Sequence, residues 1–241
     1  MSVYAMSDLH LALSANKPMD VFGGRWSDYM ERIKHNWNSL VTDEDTVLIG
    51  GDVSWAMYLD ECKNDFDYLE SLAGVKIISK GNHDYWWESI TKLNKYVSEG
   101  GYKSIRFLHN NSYIVENYGI CGARGWTIPA SDSYKADDVR LYEREVLRLA
   151  LSAKSLDDMA GNKQDIKRVA MLHYPPITKD GQPDAGFEKV MKDYGITLCL
   201  YGHLHSQSAS CAFNGVSDGI EYRLVSSDYM NFVPYKLNFR E

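Results

Sequence analysis

The chain has 241 residues, 44% hydrophobic and 24% charged, with 6 Pro and 18 Gly. That composition excludes fibrous and disordered classes, and the length suits one α/β sandwich or barrel, so a single domain over residues 1–241 is expected. The net charge of −7, from 33 acidic and 26 basic residues with no Lys/Arg run, disfavours bulk polyanion binding and nucleic acid as a partner, and leaves room for a local positive site for a small phosphate ester.

In chain order, short apolar runs predict strands at Val3–Met6, Thr46–Ile49, Val75–Ser79, Tyr113–Glu116, Gly119–Gly122, Arg168–Leu172 and Ile196–Tyr201. Shorter ones follow near Ser210–Phe213, Glu221–Val225 and Val233–Leu237, and Asn117-Tyr118 reads as a tight hairpin connection. Between them, apolar residues at three- and four-residue spacing predict helices. The first carries Trp26, Tyr29, Ile33, Trp37, Leu40 and Val41, the second runs over Leu59–Leu72, the third over Trp87–Val97 and the fourth over Asp137–Ala153. Early βα units giving way to β-rich sequence suggest two packed sheets with helices outside.

Cys62, Cys121, Cys199 and Cys211 form no C-x-x-C pair and read as buried reduced thiols. Lys163, Lys167 and Arg168 read as a solvated helix end. The first functional-looking motif begins at Asp8, too early for a cleaved leader. No apolar run approaches the roughly 20 residues of a membrane span, so a cytoplasmic location is expected.

Metal-capable residues cluster just after the apolar runs, at strand C-terminal ends, where open α/β sheets bind ligands. They are Asp8-Leu9-His10, Gly51-Asp52, Gly81-Asn82-His83-Asp84, His173-Tyr174 and Gly202-His203-Leu204-His205. Asp8 and His10 are two apart, so in extended chain they project to one side. Any one of these elements alone is more often a surface turn or a structural histidine. Five in succession, each following a predicted strand, are not explained by five separate coincidences. His35 and His109 read as structural or solvated, Trp87 as packing of the next helix, while Trp86 and Trp55 fit either packing or a wall of the site. Arg124, between glycines in Gly122-Ala123-Arg124-Gly125, is equally a surface arginine or a bidentate phosphate contact. Tyr174 adjoins His173 and could line the same pocket.

In order and composition these motifs, spanning residues 8 to 205, resemble the calcineurin-like metallophosphoesterase family. The resemblance implies an α/β fold, a four-layer αββα sandwich of two mixed β-sheets flanked by helices. It implies two divalent metal ions, one on Asp8, His10, Asp52 and His205, the second on Asp52, Asn82, His173 and His203, with Asp52 bridging. Imidazole, carboxylate and amide ligands suit Mn, Fe, Zn or Co. Such a pair can clamp an in-line displacement at phosphorus and supply a bridging hydroxide at neutral pH. His83 is similar to the family's catalytic histidine, and Asp84 is expected to orient it through the other ring nitrogen. The activity implied is hydrolysis of a small phosphomonoester or phosphodiester. A noncatalytic scaffold on the same fold would be expected to lack some of these ligands or the His83 equivalent. A metal-dependent nuclease is disfavoured by the acidic charge. Substrate choice is expected to lie in the loops Leu11–Arg25 and Trp126–Asp138.

Overall fold

The computed structural model describes residues 1–238 apart from Ser14, Asn16, Pro18, Asn162 and Gln164. Among the described residues the order is β1 (Val3–Met6), α1 (Tyr29–Leu40), β2 (Thr46–Ile49), α2 (Lys63–Ser71), β3 (Val75–Ile78), α3 (Ile90–Gly100), β4 (Ile105–Phe107) and β5 (Tyr113–Val115). There follow β6 (Tyr118–Ala123), α4 (Val139–Ala160), β7 (Lys167–Leu172), α5 (Ala185–Asp193), β8 (Leu198–Tyr201), β9 (Gly215–Ser217), β10 (Ile220–Leu224) and β11 (Tyr235–Lys236).

The period-2 alternation of strand side chains divides them between separate apolar layers. In β1, Val3 and Ala5 join one cluster and Tyr4 and Met6 another; in β7, Val169 and Met171 part from Ala170 and Leu172 in the same way. The first set, with Leu48, Leu198 and Leu200, fills the space between two sheets. The others pack outward, against α1, α2 and α3 on one side and α4 and α5 on the other. The result is the expected four-layer αββα sandwich. Strands covered on both faces must be apolar on both, which is why the runs look continuous.

One sheet has the order β11-β1-β2-β3-β4 and the other β5-β6-β7-β8-β10-β9. Both are mixed: β1 to β4 pair in parallel and β11 antiparallel to β1, while β6, β7, β8 and β10 are parallel with antiparallel β5 and β9 at the edges. The sheets touch where Ser7 bridges to Ser226, just beyond β1 and β10. The C-terminal ends of the parallel strands from both sheets therefore open toward one region. No helix among the described residues is long and apolar enough to cross a membrane.

Several elements differ from expectation. Ser206–Cys211 is a 3-10 helix where a strand was expected at Ser210–Phe213, because Ser208 and Ser210 donate their hydroxyls back to His205 and Gln207 carbonyls. The hairpin turns on Glu116-Asn117, with Glu116 at φ 54, and Tyr118 already pairs with Val115. Trp26 lies in a separate 3-10 turn before α1. Cys211 is exposed; the other three cysteines are buried, and all four are free. Lys167 and Arg168 belong to β7, so the basic stretch joins a helix to a strand; Gln164 within it lies outside the described residues, as do Ser14, Asn16 and Pro18 of the Leu11–Arg25 loop.

Candidate metal centre

Leaving β1, the chain turns at Asp8 (φ 57) and His10 (φ 46); leaving β2 it turns at Asp52 (φ 51), and beyond β8 at His203 (φ 71). A non-glycine residue in the left-handed region costs about 1 kcal/mol or more and persists only where its surroundings impose it, commonly at functional sites. The imposing contacts are visible. Asp8 Oδ2 accepts from Ser7 Oγ at 2.5 Å and Ser226 Oγ at 2.7 Å, and the His203 N–H points at the same carboxylate at 3.0 Å. Ser227 Oγ donates to the Asp8 carbonyl at 2.6 Å. The His10 N–H donates to Asp52 O at 2.9 Å, and its carbonyl accepts from Tyr29. Close approach also requires glycine here: a Cβ at Gly81 would strike Asp52 Oδ1, and one at Gly202 would strike Ser7 Oγ.

Asp8, His10 and Asp52 are all buried, and each offers one ligand atom within 4.8 Å of the others. His10 Nε2 is buried without a hydrogen-bond partner, 3.9 Å from Asp52 Oδ2. Two buried carboxylates beside an orphaned imidazole nitrogen are an unfavourable group by themselves and a good donor set for a borderline divalent cation. The residues fit a metal.

A second set of donors adjoins the first through Asp52. His173 Nε2 lies 3.4 Å from Asp52 Oδ2 and 2.7 Å from Asn82 Oδ1, and His203 Nδ1 lies 2.8 Å from the same amide oxygen. His173 Nδ1 faces the Gly50 carbonyl at 2.9 Å, the outer hydrogen bond that typically orients a ligating histidine. The His205 ring stands edge-on to His10, centroids 5.3 Å apart, and 6.2 Å from Trp26.

Burial holds the imidazoles of His10 and His203 down to about 4, against the pull of Asp52 and Asp8. Both are therefore neutral at pH 7, the form that ligates metal. Burial opposes charge on His173 too, but the charge of Asp52 and its hydrogen bond raise it to about 9. Asp52 is correspondingly lowered, burial being outweighed by His173 and His10.

His83 is half-buried at the mouth, with its ring 4.6 Å from that of Trp55 and 5.8 Å from His10. Its Nδ1 has no hydrogen-bond partner. Asp84 faces elsewhere: it accepts from the N–H groups of Asp52 (2.9 Å), Val53 (2.8 Å) and Gly81 (2.7 Å) and from Trp86 Nε1 (3.0 Å). The expected bond to the His83 ring is absent because the backbone donors of two converging loops occupy the carboxylate. Burial, then the charge of Asp52, pushes Asp84 up to about 6.

Trp55 stacks on His10 at 4.9 Å and meets the His83 ring at a tilt, so it is a wall of the site, and Trp86 is a buried support for Asp84. Ser7, Ser226 and Ser227, which grip Asp8, are residues that sequence reasoning missed. Their only signal is small hydroxyl residues directly after strands. Tyr174 covers His203, ring centroids 4.2 Å apart. Arg124 stacks over Trp126 at 4.4 Å and turns toward Glu145, 3.6 Å away.

The profile described as calcineurin-like phosphoesterase matches residues 1–207. The chain belongs to this family. Among solved structures, a protein of unknown function from Aquifex aeolicus, AQ665, is similar at TM-score 0.53 and 15% identity, over 98% of this chain and 95% of that one. TT1561 of Thermus thermophilus is similar at TM-score 0.53 and 12% identity, over 99% and 98%. These likenesses concern the fold. No curated protein matches the chain. Family and donor geometry together support a metal-dependent phosphoesterase.

Proposed function

We propose that the protein hydrolyses a small phosphomonoester or phosphodiester at a two-metal centre. Asp8, His10, Asp52 and His205 would hold one divalent ion, and Asp52, Asn82, His173 and His203 the other. The observation that carries this reading is the position of Asp52 Oδ2, within 4 Å of both His10 Nε2 and His173 Nε2, so that one carboxylate serves both donor sets. Divalent ions held there would neutralise phosphoryl charge and acidify water.

The chain's own residues do the rest. The half-buried His83 ring, whose Nδ1 has no partner, would hydrogen-bond to the leaving oxygen. Trp55 fixes that ring from one side. Asp84 acts through the backbone, keeping Asp52 and Gly81 in register.

Hydrolysis of p-nitrophenyl phosphate and bis-p-nitrophenyl phosphate by metal-stripped protein reloaded with Mn²⁺ tests the reading. Metal-restored turnover is expected, abolished in Asp52→Asn and reduced roughly a hundredfold or more in His83→Ala. No turnover of either ester by protein holding two metals per chain would overturn it.

A further inference from the structure

Beside the centre, at the C-terminal ends of β3, β4 and β6, lies a tight recess of about 10 Å³, which opens further only if its long side chains move. Lys80, His109, Asn110, Arg124 and Arg148 line it. At its back the fully buried Glu145 receives three arginines on one oxygen: Arg148 at 2.9 Å, Arg144 at 3.3 Å and Arg124 at 3.6 Å. Its other oxygen, Oε2, is buried without a partner, as is Arg124 Nε.

The charges do not balance. Arg144 is 46% exposed and is solvated, but Arg124 and Arg148 are only 13% and 28% exposed. Lys80 forms no ion pair among the described residues, and its charged neighbours are Arg124 and Arg148 on one side of the account, Asp84 and Glu145 on the other. Asp84 is committed to backbone donors. Two carboxylates thus face three part-buried cations and the solvated Arg144, an excess of positive charge that favours an anion.

Resting on the phosphoesterase reading, we infer that this recess is a second anion subsite, taking a further phosphate group of the same substrate, so that the preferred substrate is a small molecule bearing two phosphates. The spacing allows it. Lys80 is two residues before Asn82, which puts their Cα atoms at most about 7 Å apart. The Arg124 carbonyl accepts from the N–H groups of His173 and Tyr174 at 2.9 and 3.0 Å. The recess and the centre share these two walls. Guanidinium forks suit phosphate oxygens, and the long Lys80 and Arg148 side chains can swing outward to widen the entrance.

Two measurements decide it. In the first, full-length chain freed of metal is titrated with inorganic phosphate by calorimetry. Without cations the centre presents Asp8 and Asp52 and repels phosphate, so binding reports the recess. Affinity is expected to fall tenfold or more in Lys80→Ala and in Arg148→Gln. No binding, or equal affinity in both variants, overturns the subsite, whether or not the protein is an esterase. Lys80→Ala guards against misfolding, since it unpairs no buried charge. In the second, manganese-loaded protein is given propyl phosphate and propane-1,3-diyl bisphosphate. The expected kcat/KM ratio favours the bisphosphate tenfold or more, and drops toward the statistical factor of about two in either variant. A wild-type ratio near two overturns the shared-substrate placement. Failure to hydrolyse either ester overturns the phosphoesterase reading for such substrates and leaves the first measurement to judge the subsite.

Discussion

Asp84 and His83 are neighbours with opposite structural commitments. Replacing Asp84 with alanine removes the acceptor of four backbone N–H groups and one indole. Each buried donor left unmet costs about 1–3 kcal/mol, so Asp84→Ala should lose about 3 kcal/mol or more of stability in urea denaturation. His83→Ala, at the half-buried mouth, should stay within about 1 kcal/mol of wild type while losing activity. Equal stabilities would mean that Asp84 is not the clamp described here. His173 gives a second residue-scale prediction, with a definite sign. Its folded pKa, about 9, lies above the ordinary 6.5. The stability it lends the metal-free chain is therefore complete below pH 6.5 and lost as pH rises through about 9. Proton and metal compete for the same nitrogen, so Mn²⁺ affinity should rise about tenfold per pH unit below 9. Calorimetry at pH 7.5 in buffers of differing ionisation enthalpy should find about one proton released; none released would remove His173 from the ligand set. That Asp8, His10, Asp52, Asn82, His173 and His203 gather in one place was legible from their positions after strands. The direction in which Asp84 turns was not, since its partners exist only once the 50–54 and 81–84 loops meet.

At the level of elements, legibility followed the length and burial of each segment. The first three strands end within one residue of expectation because apolar runs covered on both faces have sharp limits. β4 has an exposed Arg106 between two apolar residues, and β9 is a three-residue edge strand with little buried surface. Neither offers a pattern long enough to read. α5 did carry one: Phe187, Val190 and Met191 at helical spacing, behind Asp184, which accepts from the N–H groups of Gly186 and Phe187. Docking of helix on sheet depends on single polar groups that no periodicity marks. On α4, buried Ser152 donates to the Asn111 carbonyl at 2.5 Å and accepts from the Gly122 N–H of β6 at 2.8 Å. Ser152→Ala strands both backbone groups against an apolar layer, and a loss of about 1–3 kcal/mol is expected in the denaturation midpoint. An unchanged midpoint would show that water reaches this interface.

Across the whole molecule, the middle apolar layer holds the two sheets face to face, and the C-terminal strand ends of both contribute residues to the centre. The proposed ligands divide accordingly: Asp8, His10, Asp52 and Asn82 follow strands of one sheet, His173, His203 and His205 strands of the other. Metal bound by both groups would tie the sheets together, so binding energy would be folding energy. The sequence shows both sets of motifs but not this division, because sheet membership is decided by pairings across the chain, such as β1 with β11, that leave no local mark. The consequence is measurable. Ligand at a hundred times its Kd stabilises the native state by about 2.7 kcal/mol per site. For a chain of this size, 1 kcal/mol moves Tm by about 2–4 °C, so saturating Mn²⁺ at both sites should raise Tm by roughly 10–20 °C over chelator-treated protein. Asp52→Asn, which weakens both donor sets at once, should abolish most of that shift, whereas His205→Ala should remove only part of it. A wild-type Tm indifferent to metal would mean that the native state does not bind it preferentially, and both the two-metal assignment and the tie between sheets would fail together.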